Sequence, residues 1–180
     1  ICEIWEDVLD RPDQAIQTYR RVLEEDPEDQ NAIEALIRLY ERTGNWTLLV
    51  EVLREKLEVA ADDDERKEIL FRIARVCEEQ LNDANETILT YRSVLEADAR
   101  DRRAMEALDR LYSREGRWGE LIDLLETERA LIKEDSRPSA ARRVDGLDLR
   151  IADVLEHHLG QVEQAGELDG EIRARSPDFA

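Results

Sequence analysis

The chain repeats itself, and that constrains its fold more than any other feature, because an internal period is the signature of stacked supersecondary units. Displacing the sequence so that Ile16 falls on Ile88 lays Ile16–Leu53 over Ile88–Leu125 without a gap, with 21 of 38 positions identical. The aromatic residues coincide: Tyr19 with Tyr91, Tyr40 with Tyr112 and Trp46 with Trp118, so six of the nine fall in equivalent pairs. The segment from Ile1 returns as Ile73–Leu81 and again as Ile151–Leu159. The second interval is longer than the first, and the additional residues fall around Ser136, Arg137, Pro138 and Ser139. Those residue types predict one longer loop between helices.

Within each copy the apolar spacing is helical. Ile16, Tyr19, Val22 and Leu23 recur at three and four, as do Ile33, Leu36, Leu39 and Tyr40, and Leu49, Val52, Leu53 and Leu57. Breaks fall at Asp26-Pro27, Gly44, Asn82-Asp83, Gly116, Gly160 and Ser176-Pro177, and Asp62–Asp64 offer an N-cap with favourable charge at a helix start. Ten helices are expected, at about 1–10, 12–26, 30–43, 46–60, 64–82, 84–98, 101–115, 118–134, 138–159 and 161–175. Their short connections force antiparallel pairs of roughly 34 to 38 residues. One such hairpin buries too little apolar area to offset its chain entropy, whereas stacked copies share a continuous core.

Composition narrows the function classes. Forty-five acidic against 26 basic side chains give a net charge of −19, which disfavours phosphate backbones and therefore a nucleic-acid partner. No apolar run approaches the roughly 20 residues of a spanning helix, so no membrane partner is expected. Twenty-three of the 26 basic residues are arginine, only Lys56, Lys67 and Lys133 being lysine. Codon usage in a GC-rich genome explains that bias as readily as a need for bidentate carboxylate contacts. The start at Ile1, in mid-pattern, suggests an excerpt of a longer protein. Cys2 and Cys77 occupy equivalent apolar positions a full unit apart, which reads as buried thiols in a reducing, cytoplasmic setting rather than as a bridge.

The period and the residues at its fixed points resemble the tetratricopeptide repeat family. Ile33, Leu36, Tyr40 and Gly44, answered by Met105, Leu108, Tyr112 and Gly116, are similar to the signature of its first helix. Ala15, Tyr19 and Pro27, answered more loosely by Thr87, Tyr91 and Ala99, are similar to that of its second. Ile37 and Asp109 stand where the family usually has Gly or Ala, which bears on the angle between hairpins. The resemblance implies an all-α fold, a right-handed αα-superhelix or solenoid. It would form one repeat domain over 1–180, with hairpins at approximately 1–27, 30–62, 64–99, 101–135 and 138–176. It also implies a non-catalytic scaffold that takes a peptide or partner protein in a concave groove, without a cofactor.

No phosphate loop, C-x-x-C, H-E-x-x-H, G-x-S-x-G or calcium loop is present, so neither a catalytic residue nor a metal ligand is expected. His157 and His158 are adjacent, about 100° apart around a helix, and read as a surface pair at a helix C-terminus. The paired Trp and Tyr residues read as core. One feature points outward. Glu34, Arg38 and Arg42 stand four apart, and Glu106, Arg110 and Arg114 repeat the arrangement. By the resemblance these positions line the groove, where Arg72 and Arg75 on the intervening helix would join them. Such a basic stripe would grip acidic side chains or a free C-terminal carboxylate. The competing reading makes Glu34–Arg38 and Glu106–Arg110 ordinary ion pairs worth about 0.3 to 0.5 kcal/mol each. A different class of role, a structural or self-assembly module stacking through its end hairpins, would show as apolar residues on the outer face of the first or last hairpin. An RNA-processing scaffold shares the helical pattern but not the charge.

Overall fold

The computed structural model describes residues 11–133 and 138–175, and those residues are helical except at short turns. The chain divides into two compact units, Ile1–Ala97 and Asp98–Ala180. The helix expected at 1–10, Cys2 and part of the loop around Ser136 lie outside the described residues.

In the first unit, helices α1 (Pro12–Glu25), α2 (Gln30–Thr43), α3 (Trp46–Glu58), α4 (Asp63–Val76) and α5 (Ala84–Ala97) each pack on the next. The caps explain the boundaries. The Asp29 carboxylate accepts from the Ala32 amide at 2.8 Å and Asp62 from the Glu65 amide at 2.8 Å, each satisfying an otherwise orphaned N–H of the first turn. Gly44 closes α2 in the left-handed region at φ 71°, where a Cβ carries a penalty. One stripe of α2 is wholly buried, with Ile33, Leu36, Ile37, Leu39 and Tyr40 all sealed from solvent. Leu49, Val52 and Leu53 of α3, with Ile69 and Ile73 of α4, complete that core. Ile37 is therefore a core residue here, filling space that a smaller side chain would leave open.

α4 runs on through one π-helical turn, Cys77–Leu81, and stops at Asn82, which adopts a left-handed φ of 51°. Gly160, the residue that aligns with Asn82, does the same at φ 67°. Both ends close with the same long-reach bond: the Asp83 amide donates to the Cys77 carbonyl at 2.9 Å, and the Gln161 amide to the Leu155 carbonyl at 2.8 Å.

The second unit contains α6 (Arg102–Glu115), α7 (Trp118–Lys133), α8 (Pro138–His157) and α9 (Val162–Arg175), again packed in sequence. Asp101 caps α6 through the Ala104 amide at 3.0 Å, and Gly116 ends it at φ 68°. A satellite cluster of Ile132, Ala140 and Val144, with Leu147 against it, joins α7 to α8. The architecture is an all-α solenoid of consecutive helix hairpins.

Candidate functional site

The eight charged residues singled out by the sequence divide between the units, five in the first and three in the second. α2 buries one stripe completely, so its opposite stripe, from Glu34 through Arg38 to Glu41 and Arg42, is what it presents outward. Arg38, Arg42 and Arg75 are exposed. Glu34 is half-buried, and its carboxylate takes the Lys56 ammonium from α3, so it serves its own hairpin. Arg72 reaches from α4 to Glu41 of α2, with Nη2 donating to Oε1 at 2.7 Å. That bond puts the first helices of two successive hairpins side by side within the first unit.

The second unit repeats the device one turn away. Arg150, the equivalent of Arg72, makes two hydrogen bonds with Asp109 of α6. Burial opposes the charge on Arg150, but the Asp109 hydrogen bonds outweigh it and raise its pKa above the ordinary value. Asp109, the second departure from the family pattern, thereby holds α6 to α8. Glu106, Arg110 and Arg114 are exposed on α6. Arg102 Nε donates to Glu106 at 2.6 Å, and Arg114 Nε to Glu115 at 2.9 Å.

Three clusters lay outside the sequence expectations. The first is Asp148, only 1% exposed, which accepts from Arg129 Nη1 of α7 at 2.7 Å and also from Arg175 of α9. Arg175 lies 3.5 Å from the equally buried Asp145. Burial alone would raise the Asp148 pKa; the two guanidiniums overcome it and hold the carboxyl below the usual carboxylate range. The signal was available, since an acid on an apolar helix stripe demands buried partners.

The second cluster is a stack: His158 lies on the Trp118 ring at 3.6 Å with an interplanar angle of 13°, while His157 Nδ1 sits 3.1 Å from the Asp153 carbonyl oxygen. The third is Arg20, whose Nε donates to Tyr40 Oη at 3.0 Å and whose Nη1 donates to Glu55 Oε1 at 2.7 Å. Arg20 and Glu55 border a cleft of about 580 Å³. Among the described residues no group of His, Cys, Asp and Glu is placed to hold a metal ion, and no helix is long and apolar enough to cross a membrane. Cys77 is fully buried and free; burial first, then Glu86 and Asp83, push its thiol up to about 11.

The hairpins, their left-handed glycine caps and the Tyr40 and Tyr112 core positions recur at one spacing, and residues 32–68 and 104–138 match the tetratricopeptide repeat family. The chain carries two tetratricopeptide repeats, at those residues. The two matches begin at equivalent positions of the internal repeat and cover α2–α3 and α6–α7, its best preserved parts. No curated protein sequence matches. Solved structures to which this repeat protein is similar include MamA, at 16% identity, covering 98% of this chain and 88% of that one with a TM-score of 0.45. YrrB, described as a TPR protein with an unusual peptide-binding site, is 14% identical over 98% of this chain and 84% of its own, TM-score 0.45. PilW, described as a widely conserved type IV pilus biogenesis factor, is 16% identical over 98% and 91%, TM-score 0.38. Tetratricopeptide-type proteins are generally non-catalytic scaffolds for protein partners. The self-assembly alternative looks for an apolar outer face on the last hairpin. Among the described residues the last hairpin exposes Leu149, Leu159 and Val162, the last followed by exposed Glu163 and Gln164.

Proposed function

We propose that this tetratricopeptide-like protein holds partner peptide on the face that the first helices of its hairpins present within each unit, with arginines gripping the peptide's carboxylates. Arg38, Arg42 and Arg75 act in the first unit and Arg110 and Arg114 in the second. Arg72 and the acids Glu34 and Glu106 order the surface around them. The observation that carries this reading is the recurrence, in both copies of the repeat, of two exposed guanidiniums one helical turn apart, on α2 and on α6. Like charges at that spacing repel by about 0.2 to 0.5 kcal/mol on an isolated helix. Guanidinium forks matched to a partner's carboxylates would offset that repulsion through charge-assisted bonds of about 1.5 to 3 kcal/mol each.

The test compares the native chain with R38E/R110E as baits in a pull-down read by mass spectrometry, followed by affinity measurements on an acid-rich segment of a captured protein. Loss of two such contacts is expected to weaken binding by at least about tenfold. Both positions are exposed, so the thermal midpoint should move by no more than a few degrees. An identical set of captured proteins for both baits would remove the arginine columns from the function.

A further inference from the structure

The cleft beside Arg20 lies in the first unit, between the C-terminal halves of α1 and α3. Its apolar walls are Leu23, Pro27 and Val59. Four carboxylates, Glu24, Glu28, Glu55 and Glu58, face it against the single cation Arg20. That cation is already committed, to Tyr40 and to one oxygen of Glu55. The other oxygen, Glu55 Oε2, is closed off from solvent and has no hydrogen-bond partner among the described residues. A buried acceptor without a donor is a standing free-energy cost.

The repeat itself supplies a control for whether the hairpin needs these acids. In the second copy Arg20 and Tyr40 recur as Arg92 and Tyr112, whereas Glu28, Glu55 and Glu58 are replaced by Arg100, Thr127 and Ala130. That copy builds the same pair of helices without three of the four carboxylates, so folding does not require them. In the second unit a smaller cleft of about 190 Å³ is lined by Arg100, Arg102 and Arg143 and carries the opposite sign. The acidity is therefore particular to the first copy.

We propose that this cleft is a docking site for a basic segment of a partner protein, one arginine or lysine side chain entering it. Its aliphatic stem lies on Leu23, Pro27 and Val59, and its charged head pairs with the exposed carboxylates Glu24, Glu28 and Glu58. The site is distinct from the arginine columns and takes the opposite charge.

The probe is a fluorescent Gly-Ser peptide carrying one arginine between two leucines, titrated into the full chain by anisotropy and by ¹⁵N-resolved NMR. A second peptide has citrulline, the uncharged isostere, at that position. Expected results are shifts centred on Glu24, Glu55 and Glu58, and at least about tenfold weaker binding of the citrulline peptide. E55T/E58A, which installs the residues that the second copy already folds with, should lose binding by a similar factor with an unchanged circular dichroism spectrum. If that pair perturbs the fold, E28R, at an exposed position, reads the same loss. R38E/R110E should bind the arginine peptide as the native chain does, so failure here and failure of the groove reading are separable. Equal binding of the two peptides, undiminished binding by the variants, or occupation of the cleft by spermidine while the peptide leaves it untouched would each overturn the proposal.

Discussion

Asp148 shows how one substitution between copies of a repeat recruits others. Its equivalent in the first unit is Leu70, in the register that aligns Ile73 with Ile151, and Arg129, its partner on α7, stands where the first copy has Leu57. Two apolar residues on neighbouring helices have become an ion pair, and Arg175 of α9 joins it. Removing one member strands the others, so Asp148→Ala should destabilise the protein by about 3 to 5 kcal/mol in urea unfolding. Restoring the apolar pair in R129L/D148L should recover stability to within about 1 kcal/mol of the native chain, because well-packed hydrophobic replacements of buried ion pairs are often neutral or better. A double variant as damaged as the single one would show that the charges do more than fill the site. The pH dependence follows from the lowered carboxyl pKa: the unfolded chain binds the proton at higher pH than the fold does. The Asp148 contribution is thus complete above the ordinary value of 3.8 and is lost as pH falls through its lower native value. Urea midpoints measured from pH 6 down to pH 3 should fall more steeply for the native chain than for R129L/D148L. Cys77 makes a simpler prediction. Fully buried, with its pKa raised to about 11, it should resist a thiol reagent at pH 8 in the folded protein and react at once in denaturant.

Helix positions were legible because period, cap and breaker agree. Asp29, Asp62 and Asp101 each accept the hydrogen bond of an N-cap, and Gly44 and Gly116 take left-handed turns at matching offsets. A Cβ on Gly44 would meet Trp46 Nε1 at an ordinary 3.9 Å, so the obstacle there is conformational. Gly44→Ala should cost about 1 to 2 kcal/mol, read by thermal melting. Gly119→Ala, in open space on α7, should be neutral or stabilise by up to about 1 kcal/mol. Equal effects from the two would contradict the backbone explanation. What sequence could not place were contacts between helices. Glu34 suits Arg38 by spacing, yet it reaches Lys56 across the hairpin. Arg72 and Arg150 are equivalent but find acids one turn apart, Glu41 and Asp109, because the choice depends on which side chain the neighbouring helix offers at that level. The candidate site was legible as exposed charge on α2 and α6. The Glu55 cleft was not, because its residues come from α1, α3 and the turn between α1 and α2, and no period links them.

At the scale of the whole molecule, each unit carries what a folding unit needs. Helices of the first share a core of residues drawn from α1 to α4, including Leu23, Ile33, Leu53 and Ile73. The second closes through the Asp148 network, which ties α7, α8 and α9 together. Stability in a linear repeat is approximately a sum of hairpin terms and neighbour interfaces, so each unit keeps the terms that lie within it when the chain is cut after Ala97. Expressed separately, residues 1–97 and 98–180 should therefore each retain helical circular dichroism and unfold cooperatively in urea. The second piece should be the more acid-sensitive, since Asp148 and its arginines lie wholly within it. A solenoid held by local interfaces tolerates this division, whereas a fold organised about one shared centre would lose most of its helicity in both pieces, and that outcome would refute the additive description.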